Sequence, residues 1–313
     1  MQPENSSAYL KFINGPAYRI RQDKEDNVVD FSSFSQLNSK FASRNFSVKY
    51  VIQGTEIYSL MQSSYSVVAG RYLLTNAFTH GNVIIDSDRI VKGVCIEIAP
   101  GLLAEVLATC SDLGAPYPQM DLYDFLTTAD FFECDYSAGK THLGRYLQRY
   151  ATSIFTHGDS TDLLLSDFFY CVAENILLDQ KEVYKYFQSF KSVKISTKKD
   201  LLGRLMKGKE LMDDCYADKI TISEIAQVAM MSEYYFLRLF KRTFNCSPHR
   251  YIIDRRLETA MELINKGHGS FMDIAYACGF ADIQAFSKSF KKKYGKTPSA
   301  ERQFFAAKQA LYP

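Results

Sequence analysis

Residues 279–298 read GFADIQAFSKSFKKKYGKTP, and the reading of this stretch decides the fold of the C-terminal third. Asp282 is a helix cap, since its carboxylate can accept from the backbone N–H groups that the first turn leaves unpaired. Phe286 and Phe290 are one helical turn apart and mark a buried side. Lys288, Lys291, Lys292 and Lys293 make the other side and the end cationic, and Gly-Lys-Thr-Pro stops the helix. A lysine triplet by itself is most often a solvated face, and two phenylalanines by themselves are ordinary core.

What changes the reading is that the chain has already done the same thing fifty residues earlier. Ser232 falls on Asp282, Phe236 on Phe286, Arg238 on Lys288, Phe240 on Phe290, Lys241 on Lys291, Phe244 on Tyr294 and Pro248 on Pro298. Caps, core aromatics, cations and terminating prolines do not align together by accident. Before each of these helices lies a shorter one. Ser223 is its expected cap in the first copy, with Ile225, Ala226 and Ala229 inward, and it spans Met272–Cys278 in the second. The connections are Met230-Met231 and Gly279-Phe280-Ala281, so tight that the helices must cross at a large angle, as in a helix-turn-helix. An amphipathic helix over about Pro248–Asn265 joins the copies, and one over Lys198–Cys215 docks on them.

These segments resemble the DNA-binding domain of the AraC family of bacterial transcription regulators. The resemblance rests on IAxxxxxSxxyFxRxFK at 225–241, RLExAxxLI at 256–264 and IAxxxGFxDxxxFsxxFKkxyGxTPsxxR at 274–302. It implies a monomeric seven-helix unit whose two recognition helices enter successive major grooves of double-stranded promoter DNA, with RNA polymerase as a further partner. By position it makes Tyr234, Leu237 and Arg238, then Gln284, Ala285 and Lys288, the base-facing residues, and Lys241, Arg242, Lys291 and Lys292 the phosphate contacts. Arginine or lysine can read guanine, glutamine can read adenine, and Leu237 or Ala285 can meet a thymine methyl. Two positions depart from the pattern: Met230 stands where glycine is usual, at about 1 kcal/mol of strain if φ is positive there, and Glu301 replaces an aromatic.

From Asn45 the period changes. Phe46, Val48, Tyr50 and Ile52 alternate with their neighbours, Gly54 turns the chain, and 57–60, 65–68, 72–74, 83–85 and 91–98 read as short strands divided by Gly70, Gly81 and Asp-rich turns. That spacing suits a small barrel or double-sheet roll, and within the family resemblance it looks like the cupin-like sensor domain. The expected class is therefore α+β: a sensor domain over 1–160, a helical dimerisation segment and linker over 161–195, and an AraC-type DNA-binding domain over 196–313. The linker is SFKSVKISTKKD, 189–200. The helical stripe Leu164, Phe168, Cys171 or Val172, and Asn175 or Ile176, followed by Val183, Tyr186, Phe187 and Phe190, has two open readings: it packs on its own barrel, or, as the family suggests, 161–190 pairs with a twin in a homodimer.

Charge divides along the same line. The 313 residues carry 37 Lys and Arg against 35 Asp and Glu, but residues 196–313 hold 20 against 13 and the rest 17 against 22, so a polyanion is expected at one end only. The N-terminal residues do not read as a secretory signal, and no stretch is apolar for long enough to span a bilayer. The seven cysteines, odd in number and never at ligand spacing, fit reduced thiols in a cytoplasmic protein.

A metal-dependent cupin would need two or three imidazoles and a carboxylate converging on one ion. Of the five histidines only His80 falls among the strands, so no metal, no cofactor and no catalysis are expected. An apolar or aromatic effector could sit against Phe46, Tyr50, Tyr58, Tyr65 and Tyr72, although tyrosines there serve equally as core. The function expected is a sequence-specific transcription regulator. The alternative is an enzyme or repair protein that uses the C-terminal domain only to reach DNA.

Overall fold

The computed structural model describes residues 18–22, 27–60, 63–109, 119–157, 166–191, 193–267 and 269–311. The chain divides into two compact units, Met1–Lys185 and Tyr186–Pro313.

The first unit begins with β1 (Tyr18–Gln22), β2 (Asn27–Ala42), β3 (Phe46–Gln53), β4 (Thr55–Leu60), β5 (Ser64–Val68), β6 (Arg71–Thr75) and β7 (His80–Ile98). With β8 (Cys134–Ser137) they form one antiparallel sheet in the order β1-β2-β7-β3-β6-β8. Long β7 pairs β2 along one edge and, along the other, first β4 through Gly81–Ile84 and then β3 through Lys92–Ile98. One bent strand thus serves two sides, and the sheet curls into a nearly closed barrel. Gly54 turns the chain between β3 and β4 at φ +84°, where a Cβ would lie 2.7 Å from a Val91 methyl. Inside the barrel Val51, Tyr58, Val67 and Leu73 form a core cluster with Phe41, Tyr65 and Val83 against it.

Helices α1 (Pro100–Thr109), α2 (Gln119–Thr127), α3 (His142–His157) and α4 (Ser166–Gln188) follow. The helical stripe is covered within the single chain. Phe168, Val172, Ile176 and Val183 are all buried, and the Tyr150 ring lies 4.4 Å from Phe168. Leu164 lies outside the described residues.

One expectation about the strands is corrected. The segments 83–85 and 91–98 are not separate strands but parts of β7, because β2 pairs with it on both sides of an irregularity at Phe34/Gln36, with His80–Asp86 on one side and Val91–Glu97 on the other. The residues before Asn45 do hold strands, β1 and β2, whose serine-rich sequence has weak alternation. Residues 46–51 are buried on both faces, so the polar half of the alternation in β3 points into the barrel, not to water.

The second unit contains seven helices among the described residues: α5 (Ile195–Asp214), α6 (Ile222–Val228), α7 (Glu233–Phe244), α8 (Pro248–Asn265), α9 (Phe271–Ala277), α10 (Ile283–Tyr294) and α11 (Pro298–Leu311). Helix α5 starts at Ile195, so 195–200 is helix rather than linker. The second helix pair and α8 share a core of Leu257, Ala260, Ile264, Ile274, Ala275, Cys278, Phe280, Phe286 and Phe290. Gly208 lets α5 come close to α7, since a Cβ there would sit 2.8 Å from the Phe236 ring.

Candidate nucleic-acid interface

The two helix pairs are built alike, down to their caps. Helix α6 is capped by Thr221, not Ser223: Glu224 N donates to Thr221 Oγ1 at 3.2 Å and Thr221 N donates to Glu224 Oε2 at 2.8 Å. Helix α9 repeats this reciprocal box with Ser270 and Asp273, at 3.2 and 3.0 Å. Both short helices end in the same motif. Met231 N reaches back to Ala226 O and Phe280 N to Ala275 O, each at 2.9 Å, over a left-handed residue, Met230 at φ 51° and Gly279 at φ 79°. The copies are therefore offset by 49 residues up to this turn. Ala281 lengthens the second turn by one, and the offset becomes fifty from the caps of α7 and α10 onward.

Ser232 Oγ accepts from Tyr235 N at 3.4 Å and Asp282 Oδ1 from Ala285 N at 2.6 Å, which starts the two longer helices. Phe236 and Phe240 in α7, and Phe286 and Phe290 in α10, are fully buried. The opposite faces are open. Tyr234, Leu237 and Arg238 are exposed in α7, Tyr234 by 74%. Gln284, Ala285 and Lys288 are exposed in α10. The structure thus brings each set of three onto one side of its helix.

The cations separate into two groups. Arg255 pairs with Asp213 at 3.0 Å, Arg256 donates to the Tyr216 and Asp218 carbonyls at 2.6 and 3.0 Å, and Lys293 reaches the Asp254 carbonyl and Glu258, both at 3.0 Å. These hold helices together. Lys293, third of the triplet, is a tie between α10 and α8. Lys241, Lys291 and Lys292 are exposed, and among the described residues the side chains of Arg238, Lys241, Lys288, Lys291 and Lys292 make no ion pair or hydrogen bond. Arg242 is exposed too, but its guanidinium donates to the Ser189 carbonyl at 3.2 and 2.7 Å. Glu301 is buried beside Lys296, with which it makes an ion pair, so the charge that replaces an aromatic is neutralised locally. Capping hydrogen bonds hold the carboxyls of both box residues below the usual carboxylate range, from the Thr221 backbone and side chain for Glu224 and from the Ser270 side chain and backbone for Asp273.

The five expected pocket residues do not come together. Tyr50 stands opposite Tyr72 across β3 and β6, and Tyr72 stacks on Tyr136 at 5.4 Å with its hydroxyl donating to Thr141 Oγ1 at 2.9 Å. Phe46, on that same outer face, packs on Phe131 at 5.1 Å. Tyr58 and Tyr65 lie on the opposite, inner face with Val51 and Leu73, because neighbours along a strand point to opposite sides. The inner face holds a polar group that sequence reasoning missed. Lys49 is 7% exposed, with Nζ 4.8 Å from the Phe41 centroid, and Glu56 is 5% exposed, accepting from the Tyr58 hydroxyl at 2.5 Å. Burial raises the Glu56 carboxyl above its ordinary value, against the lowering effects of Tyr58 and Lys49. A lysine inside an alternating strand was the available signal. Among the described residues no group of three His, Cys, Asp or Glu could hold a metal ion.

Comparison with known proteins places this geometry. A family described as a helix-turn-helix domain matches residues 225–303. The chain is 34% identical over 87 residues, 28% of its length and 35% of the other's, to the probable transcriptional regulator LumQ of Photobacterium leiognathi. It spans about a third of the length of the curated relatives it matches first. A crystal structure of a transcriptional regulator from Chromobacterium violaceum, described as having an AraC-type DNA-binding domain, is 28% identical, covers 33% of this chain and 92% of that one, and superposes with a TM-score of 0.32. The crystal structure of unsaturated fatty acid bound ToxT from Vibrio cholerae is 14% identical, covers 90% and 96%, and gives a TM-score of 0.35. The repeated capping boxes, the two left-handed turns and the family match agree: the C-terminal unit holds a helix-turn-helix domain over residues 225–303.

Proposed function

We propose that this chain is a sequence-specific DNA-binding transcription regulator. The observation that carries the reading is the pair of capped helices, α7 and α10, each presenting a base-capable triplet on the face opposite its buried phenylalanines. Tyr234, Leu237 and Arg238 read one segment of the duplex, and Gln284, Ala285 and Lys288 read the next, about one helical turn away. Lys241, Lys291 and Lys292 supply phosphate contacts and the salt-dependent part of the affinity. No enzymatic role enters this account.

The first unit is the sensor. Its effector site is the barrel interior, where Lys49 and Glu56 offer polar anchoring inside walls of Val51, Val67 and Leu73. A compact molecule with an apolar or aromatic body and one polar end matches the chemistry of those side chains. The regulator acts as a homodimer through residues of 161–190 other than the buried Phe168, Val172, Ile176 and Val183. The test is retention of genomic fragments on the purified full chain, followed by sequencing. A shared two-part motif among the retained fragments is the expected result. Fragments with no common sequence would remove the reading.

A further inference from the structure

The end of α7 is held by a short segment that has no counterpart at the end of α10 among the described residues. Residues Tyr186–Phe190, the last turn of α4 and the residues just after it, pack on Arg242, Thr243 and Phe244. The Tyr186 ring meets Phe244 edge-on at 4.6 Å, and Ser189 Oγ donates to Thr243 Oγ1 at 3.2 Å. Arg242 Nε and Nη2 both donate to the Ser189 carbonyl, and the guanidinium lies 5.8 Å from the Phe190 centroid. In the second copy the matching residues are Lys292, Lys293 and Tyr294. There Lys293 ties the helix to α8, and Lys292 stays on the exposed face.

We propose that Tyr186–Phe190 is a clasp that withholds Arg242 from DNA, so that release of the clasp adds one phosphate contact to the first recognition helix. This rests on the DNA-binding reading given above and names a regulation of that same site. The Nε/Nη2 fork that grips the Ser189 carbonyl is the fork that would grip a phosphate, and it cannot do both at once. The clasp is small and its key donor is exposed, so opening it leaves the buried Phe236 and Phe240 core of α7 in place. Its residues belong to the end of a 23-residue helix that begins at Ser166. A change in the pitch or position of that helix end is therefore what would open it. Among the described residues helix α10 has no such gate, which leaves the second recognition helix as the standing reader and the first as the adjustable one.

The experiment uses the full chain carrying Ser189→Cys and Thr243→Cys, cross-linked by oxidation and opened by reductant, with the bridge located by peptide mass mapping. Affinity for the preferred duplex is measured over a range of salt. The reduced form should show a slope of log affinity against log salt steeper by about one unit than the oxidised form. Adding Arg242→Ala should erase that difference and leave the oxidised form unchanged. Equal slopes in the two forms, or a shallower slope for Arg242→Ala in the oxidised protein, would overturn the clasp. Should the bridge not form, Tyr186→Ala with Phe190→Ala is expected to steepen the slope by the same unit, and an unchanged slope counts against the proposal. Because phosphate contact is blind to sequence, the clasp is read separately from specificity. A wild-type chain that prefers no sequence sinks the regulator reading, while the slopes still judge the clasp.

Discussion

Met230 and Gly279 occupy the same place in two copies of one turn, yet exchanging their residue types should have opposite consequences. Met230 is held at φ 51°. A left-handed conformation costs a residue with a Cβ about 1–2 kcal/mol. Glycine removes that strain but brings about 0.5–1 kcal/mol of extra chain entropy in the unfolded state. The methionine side chain is 61% exposed, so little burial is lost. Met230→Gly should stabilise the C-terminal unit by about 0.5–1 kcal/mol, or a rise in Tm of about 2–4 °C. At Gly279 the backbone is left-handed too, and a Cβ would lie 2.3 Å from the Ala217 carbonyl oxygen and 2.8 Å from its carbon. Backbone atoms cannot swing aside as a side chain can. Gly279→Ala should therefore cost about 3 kcal/mol or more. Calorimetry of the full chain, following the transition that these variants move, checks both. A Gly279→Ala protein as stable as the wild type, or a Met230→Gly protein less stable than it, would refute the argument from turn geometry.

Other expectations concern the cations, the caps and the bases. Lys293→Ala should destabilise the unit by about 1–3 kcal/mol through loss of its ties to Asp254 and Glu258, with the salt slope of DNA binding unaltered. Lys291→Ala should do the reverse, lowering that slope by about one unit with little change in Tm. Glu224 and Asp273 have depressed carboxyl pKa values, so the stability they lend is complete above the unfolded value near 4 and is lost as pH falls through the folded value. Glu224→Gln with Asp273→Asn should flatten the fall of Tm between about pH 5 and 3, as acid melts would show. A compact apolar or aromatic molecule that binds the barrel should raise the Tm of the first unit, and Lys49→Met should abolish that rise.

The C-terminal unit was legible because its information is local. Caps, turns and buried aromatics recur within about fifty residues, and even the positive φ of Met230 could be anticipated from the glycine that its counterpart carries. Thr221 was overlooked in favour of Ser223, although Thr221 and Glu224 already spell a capping box. The barrel was harder. A strand buried on both faces loses its alternation, which is why Tyr58 and Tyr65 were grouped with Tyr50 and Tyr72 from across the sheet. Long-range pairing also hid the union of 83–85 and 91–98 into β7, since nothing near those residues announces the partner strand β2. Arg242 illustrates a third limit: its position on α7 is fixed by the repeat, but its partner, Ser189, is 53 residues away.

The central claim, that α7 and α10 read bases rather than only charge, is tested most directly by the ratio of affinities for the selected duplex and a scrambled one of equal length, measured at matched salt. The wild-type chain should prefer the selected duplex by about a thousandfold or more. Gln284→Ala, Lys288→Ala and Arg238→Ala should each weaken binding to that duplex by about 1–3 kcal/mol, shrink the ratio, and relax base preference at the neighbouring positions. A ratio that stays at the wild-type value in all three variants, or one near unity in the wild type itself, would contradict the account.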